Sequence, residues 1–143
     1  MVIEYNKILK KNLENVLKEV LKIISNEGLK KGHHLFITFD PNDKGTKIPL
    51  WLKKQHPEIM TIVIQYEYWD LIIRKEDFSI RLSFNDIKTK ITISFNSVVS
   101  FADPYANFGL KIQDKELKKI KKRNKIKKSD SDKIIKFENY LKN

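Results

Sequence analysis

The first part of the chain repeats its apolar residues with the period of a helix. Over residues 6–27, apolar side chains recur at spacings of three and four, with lysines and glutamates between them. Asn6 is a suitable N-cap and Gly28 a suitable stop, so the pattern predicts a helix over this range. The apolar stripe is wide, and the sequence leaves open whether all of it packs within the chain or part of it meets a second subunit.

After Gly28 the pattern changes to that of strands. Five or six short segments rich in β-branched and aromatic residues follow, namely 35–39, 60–65, 69–73, 78–84, 89–95 and 97–101. A helical turn is expected near Pro49. Residues 108–110 are expected to be the last part of the folded region. One helix followed by strands in series predicts an α+β fold with a curled, mainly antiparallel β-sheet or small barrel. A parallel doubly wound sheet is disfavoured because no helices alternate with the strands.

The positive charge is concentrated near the C-terminus. Of the formal net charge of +11, residues 1–110 supply +3 from 16 basic and 13 acidic residues, and residues 111–128 supply +8 from 10 basic and 2 acidic residues. Residues 129–143 are neutral but regain apolar side chains. This distribution predicts a domain over 1–112, a basic linker over 113–130 and a terminal peptide over 131–143, with a disordered tail.

No motif in the sequence indicates catalysis. The chain has no cysteine, which excludes disulfides, thiol chemistry and cysteine zinc sites. His33 and His34 are adjacent, so on a strand they would point to opposite faces and could not hold one metal ion. Neither a metalloprotease motif, a phosphate-binding loop, a dinucleotide fingerprint nor a nucleophile elbow occurs. We therefore expect no enzyme activity, no metal and no cofactor.

Acidic and aromatic residues have simpler interpretations. The carboxylates expected at turns and strand ends are Glu67, Asp70, Glu76, Asp77 and Asp86. The aromatic residues expected mostly in the core are Trp51, Tyr66, Tyr68, Trp69, Phe84 and Tyr105. Without a signal peptide or a membrane span, the chain is expected to be soluble, cytoplasmic and free of membrane.

A peptide-binding role has more support. Curled antiparallel sheets offer a groove or an unpaired edge, where an extended peptide can dock through main-chain hydrogen bonds. Gln65 is a polar side chain in an apolar run, and its amide could pair with a peptide backbone.

Several segments resemble the alphaproteobacterial form of the stringent starvation protein B family, in the same order and at similar spacing. They are Gly32-His33-His34-Leu35-Phe36-Ile37-Thr38-Phe39-Asp40, residues 58–71, Leu82-Ser83-Phe84-Asn85, Phe101-Ala102-Asp103-Pro104 and Phe108-Gly109-Leu110. The resemblance covers about residues 5–112. The linker departs from the family because it is more basic than expected.

The resemblance implies an adaptor that delivers substrates to the ClpXP protease. Members are homodimers joined through the N-terminal helix; they bind the ssrA degradation tag in a groove of the β-fold, and a terminal peptide docks on the zinc-binding domain of ClpX. A flexible tether of about 18 residues would have a span of about 23 Å. Once the terminal peptide is docked on ClpX, this tether would make the encounter between the bound tag and ClpX intramolecular.

The resemblance also implies which regions make each contact. The implied tag-binding residues are Ile48, Pro49, Ile62, Ile64, Gln65, Leu82, Ser83 and Phe84. The implied ClpX-docking residues are Ile134, Ile135, Phe137, Tyr140 and Leu141. The implied dimer contacts are Leu9, Leu13, Val16 and Val20. As the alternative, a curled β-fold with a basic tail could be a small RNA-binding module.

Overall fold

The fold begins with one long helix. The computed structural model describes residues 1–114, and α1 spans Tyr5–Glu27. The helix stops at Gly28, which has a φ of +76° and donates its N–H to the Ile24 carbonyl at 2.8 Å. The expectation that Asn6 caps the N-terminus was wrong: Asn6 lies inside the first turn, and the preceding Glu4 supplies only its carbonyl, which accepts from the N–H of Ile8.

Two antiparallel sheets and a short helix follow α1. The strands are β1 Leu35–Phe39, β2 Met60–Ile64, β3 Tyr68–Ile73, β4 Asp77–Phe84, β5 Ile87–Ser94, β6 Val98–Asp103 and β7 Phe108–Lys111, and α2 is Leu50–Gln55. Strands β2-β1-β6-β7 form a four-stranded sheet in that order, and β3-β4-β5 form a three-stranded sheet. This confirms the α+β fold with antiparallel sheets; over residues 1–114 the sheets do not close into a barrel.

Some strand bounds differ from the expectation. Phe95 and Ser97 belong to a 3-10 turn, Phe95–Ser97, between β5 and β6. The Ser94 hydroxyl accepts from the N–H of Asn96 and so favours a turn over continued pairing. His33 and His34 precede β1, whose bounds agree with the expectation, and residues 108–111 form a seventh strand against β6.

The core lies between α1 and the two sheets. The inward face of α1 contributes Leu17, Leu21 and Ile24. Strands alternate buried and exposed residues where one face meets solvent, as in β2, where Met60, Ile62 and Ile64 are buried. The largest fully buried side chains of the sheets include Phe39, Phe78 and Phe101.

The expectation that most of the six aromatic residues lie in the core was wrong. None of the six is buried: Tyr66 is 79% exposed, Trp51 and Tyr105 are also exposed, and the others are half-buried. Tyr105 packs its ring against His33, and Trp69 carries the ammonium of Lys88 above its ring. Buried phenylalanines and aliphatic residues fill the interior instead, while Tyr68 and Phe84 are partly buried and pack against its margin.

Candidate functional site

Strand β2 has an edge without a neighbouring strand. It is the outermost strand of the four-stranded sheet among residues 1–114 and pairs only with β1. In an antiparallel pair, alternate residues of such a strand direct their N–H and C=O groups away from the partner. This edge could therefore take up one more extended segment.

A cleft of roughly 290 Å³ borders this edge. We call it the β2–β4 cleft; its lining residues are Thr61, Ile62, Val63, Glu67, Leu82, Ser83 and Phe84. Three consecutive residues of β2 line it although their side chains alternate between the two faces of the sheet. The cleft therefore runs along the edge of the strand rather than over one of its faces.

A second depression continues the cleft toward the β2–β3 loop. It measures roughly 420 Å³ and is lined by Val63, Gln65, Tyr66 and Glu67. Val63 and Glu67 line both cavities, so the two form one continuous surface. Val63 is apolar and 39% exposed, which marks it as a contact point within this surface.

The structure brings five of the eight residues expected at the tag groove to this surface. Four of them line the β2–β4 cleft, and Gln65 lines its continuation. The side chain of Ile64 is 0% exposed in the core, so only its main chain could meet a ligand. Ile48 and Pro49 are half-buried before α2 and line neither cavity.

Sequence reasoning missed Thr61, Val63, Tyr66 and Glu67. Val63 stands in an apolar run between two isoleucines, so the sequence did not indicate that its side chain faces outward. Glu67 does lie in a turn as expected, but nothing in the sequence indicated that this turn borders a cleft.

Charge is unevenly placed around the cleft. Glu67 is its one ionisable lining residue. On the neighbouring sheet, Arg81 pairs with Asp70 at 3.0 Å, and Lys88, opposite Ser83 in the β4–β5 register, lies 3.9 Å from the Trp69 ring centroid. The cleft thus combines polar and apolar lining in about equal parts and holds a single carboxylate, with cations on the exposed face of the adjacent strands.

The arrangement offers groups that can bind an extended peptide. Main-chain groups of β2 can pair with an extended peptide, while the exposed Val63 and the half-buried Phe84 offer apolar contacts to its side chains. Among residues 1–114, no group of three or more His, Cys, Asp or Glu side chains is placed to hold a metal ion. No helix in that part of the chain is long and apolar enough to cross a membrane.

The two histidines have separate local roles. Nδ1 of His33 lies 2.7 Å from Oδ2 of Asp103, and Nδ1 of His34 lies 3.3 Å from the Gly32 carbonyl. The first contact joins the segment before β1 to the end of β6. It therefore fixes the N-terminal entry to the four-stranded sheet.

The outer face of α1 carries the expected dimer contacts. Leu9 and Val16 are exposed, while Leu13 and Val20 are half-buried and also touch the core. An apolar row thus remains partly uncovered beside the row that packs inward. The expected ClpX-docking residues, Ile134 to Leu141, the rest of the tail and the linker beyond Asp114 lie outside the described residues.

An α+β body with an open strand edge beside a cleft offers main-chain groups that an added strand could pair with. A family model for stringent starvation protein B matches residues 7–139. The chain belongs to the stringent starvation protein B family. None of the curated proteins matches the chain. The family points to an adaptor-type role in proteolysis, with other proteins as partners.

Proposed function

We propose that this protein is a cytoplasmic, non-enzymatic adaptor that binds ssrA-tagged polypeptides and delivers them to the ClpXP protease. The observation that carries the proposal is the β2–β4 cleft at the unpaired edge of β2. The tag would lie along this edge as an added strand. Its side chains would enter the apolar part of the cleft, and the amide of Gln65 would pair with its backbone.

Delivery requires a contact with ClpX in addition to the contact with the tag. We assign it to the terminal peptide over 131–143, through Ile134, Ile135, Phe137, Tyr140 and Leu141, which would dock on ClpX. Residues 113–130 would link it to the body over 1–112. Two subunits joined through α1 would present two tags and two docking peptides, which raises the effective concentration of substrate at the protease.

The test is a titration of a fluorescent ssrA-tag peptide followed by anisotropy. Saturable binding of one peptide per chain is expected. Gln65→Ala should weaken it about fivefold, the equivalent of one net hydrogen bond of about 1 kcal/mol. Gln55→Ala, an exposed glutamine of α2 outside both cavities, is the matched control.

A second variant tests the position of the cleft. Val63→Glu places a carboxylate beside Glu67 where the peptide is expected to run, and should weaken binding at least about tenfold. Ile72→Glu makes a similar change at an exposed position of β3 outside both cavities and should leave binding intact. Equal effects of Val63→Glu and Ile72→Glu would place the tag elsewhere.

A further inference from the structure

A lysine-rich cleft lies on another side of the body. It has a volume of roughly 570 Å³. Five lysines, three asparagines, two glutamates and one phenylalanine line this lysine cleft: Lys7, Lys10, Lys11, Lys18, Lys75, Asn12, Asn15, Asn96, Glu14, Glu76 and Phe95. Its excess of three positive charges equals the net charge of residues 1–110.

Three separate elements build the lysine cleft and are bonded to one another. The ammonium of Lys18, on α1, donates to the Lys75 carbonyl of the β3–β4 turn at 2.8 Å. The ammonium of Lys10 donates to Oδ1 of Asn96 at 2.7 Å, and the N–H of Phe95 donates to the Glu76 carbonyl at 3.0 Å. The elements that carry the lysines are therefore held together by these bonds.

Much of this charge is uncompensated. Lys10 pairs with Glu14 inside the cleft, and Lys7 reaches Glu4 only at 3.7 Å between two highly exposed side chains, where such pairs contribute little. Over residues 1–114, no carboxylate forms an ion pair with the ammonium of Lys11 or Lys75. These groups are available to an anionic partner.

The described chain ends beside the lysine cleft. Nε2 of Gln113 donates to the carbonyls of Asn96 and Val98 at 2.9 and 2.6 Å, which fixes the last residues against the 3-10 turn that lines the cleft. The next residues of the sequence, 115–128, contain nine basic side chains and one acidic. In the sequence, a basic run thus follows directly after the segment that Gln113 holds beside the lysine cleft.

We propose that the lysine cleft binds the sugar–phosphate backbone of RNA. Interfaces with proteins have an apolar core and are depleted in lysine, whereas those with nucleic acids are polar and strongly positive. The one apolar lining residue, Phe95, is 3% exposed and offers no such core. The three asparagine amides can both donate to and accept from 2′-hydroxyl groups.

This activity is compatible with the proposed adaptor role. At 3.6 residues per turn, Lys7, Lys11 and Lys18 fall on one side of α1, while Leu9 and Val16 fall on roughly the opposite side. A dimer through the outer apolar row would leave the lysine cleft open. The cleft also shares no lining residue with the β2–β4 cleft.

The test uses the full chain and a fluorescent single-stranded oligouridylate of about 20 nucleotides, longer than one typical site. Anisotropy is measured over a range of salt concentrations. Binding should weaken steeply with salt. The variant Lys7→Gln/Lys11→Gln/Lys75→Gln should bind at least about tenfold more weakly, and the slope of log K against log[salt] should fall in magnitude by about 2, from about 0.7 per lost phosphate contact.

The control variant is Lys30→Gln/Lys31→Gln/Lys54→Gln. It removes the same charge from exposed lysines outside the lysine cleft and should change affinity less than about threefold. Circular dichroism and thermal unfolding verify that both variants are folded. Equal losses in the two variants would overturn the proposal, because general attraction to net charge would then account for binding. Equally tight binding of the matching DNA oligonucleotide, or displacement of RNA by polyglutamate at equal charge, would overturn the assignment to RNA.

Discussion

Two buried serines differ in whether the hydroxyl group has a hydrogen-bond partner, and this difference decides how each contributes to stability. Ser79 on β4 and Ser97 in the 3-10 turn are both 0% exposed. The Ser97 hydroxyl donates to the Ser94 carbonyl at 2.7 Å and accepts from the Thr46 hydroxyl at 3.0 Å. Within residues 1–114, Oγ of Ser79 has no hydrogen-bond partner. A buried hydroxyl without a partner is a net cost to the folded state.

We expect Ser79→Ala to leave the free energy of unfolding unchanged or to raise it by up to about 1 kcal/mol, because the unpaired hydroxyl is removed. Ser97→Ala should lower it by about 1–3 kcal/mol, because it leaves partners of a bonded network unsatisfied. Urea unfolding of the two variants measures both. A loss for Ser79→Ala as large as that for Ser97→Ala would mean that the Ser79 hydroxyl is satisfied in solution.

At the scale of elements, the β4–β5 hairpin shows how turn residues set a register. Phe84 pairs with Ile87, so the loop is only Asn85 and Asp86, with φ values of +52° and +66°. Two consecutive positive φ values define the type I′ class, in which Asn-Gly is the preferred pair. Asp86 occupies the position where glycine carries no steric cost.

Asp86→Gly should therefore raise the free energy of unfolding by about 0.5–1 kcal/mol. Asp86→Ala removes the same charge but keeps a Cβ at a positive φ, and it should destabilise the protein. Thermal unfolding distinguishes the two. If both variants change stability in the same direction, loss of the carboxylate and not the backbone controls this turn.

The helix α1 is a second element with more than one role. Its inward row packs on the core, and its outer row of Leu9, Leu13, Val16 and Val20 is partly exposed. An apolar row of this kind on a monomer surface is typical of a subunit interface. The wide stripe of the sequence therefore splits into an inward part and a part available for a second subunit.

We expect the protein to sediment as a dimer and Leu9→Asp/Val16→Asp to sediment as a folded monomer, since two carboxylates would have to be buried at the interface. Asn12→Asp/Asn15→Asp adds the same charge to other positions of α1 and should remain dimeric. Analytical ultracentrifugation reports the mass, and circular dichroism reports folding. A monomeric wild-type protein would contradict the α1 dimer.

At the scale of the whole molecule, hydrophobic period predicted most of the elements. The 3.6-residue period predicted α1, and runs rich in β-branched and aromatic residues predicted β2 and β4 within a residue or so. The four residues of β7 were expected to end the folded region but were not predicted to be a strand, since a segment so short has no measurable period. Trp51, Tyr66, Trp69 and Tyr105 were misplaced because size and hydrophobicity do not reveal which side of a short element meets the core.

The candidate site was predicted only in part for a related reason. Leu82 and Ile62 lie in different sheets and come together only because the two sheets pack on each other, which no local sequence pattern encodes. The resemblance supplied the regions, while the edge position of β2 and the contribution of Val63 and Glu67 required the three-dimensional arrangement. The same holds for the lysine cleft, whose residues come from three elements distant in sequence.

The central claim, that this protein delivers tagged chains to a protease, is tested most directly by the initial rate at which ClpXP degrades an ssrA-tagged protein at low substrate concentration. The full chain should raise this rate, because tethering concentrates the substrate at ClpX. Deleting residues 129–143 should abolish the increase while tag binding persists, and Val63→Glu should abolish it through loss of tag binding. An unchanged or lower rate with the full chain, under conditions in which it binds the tag, would contradict the adaptor function.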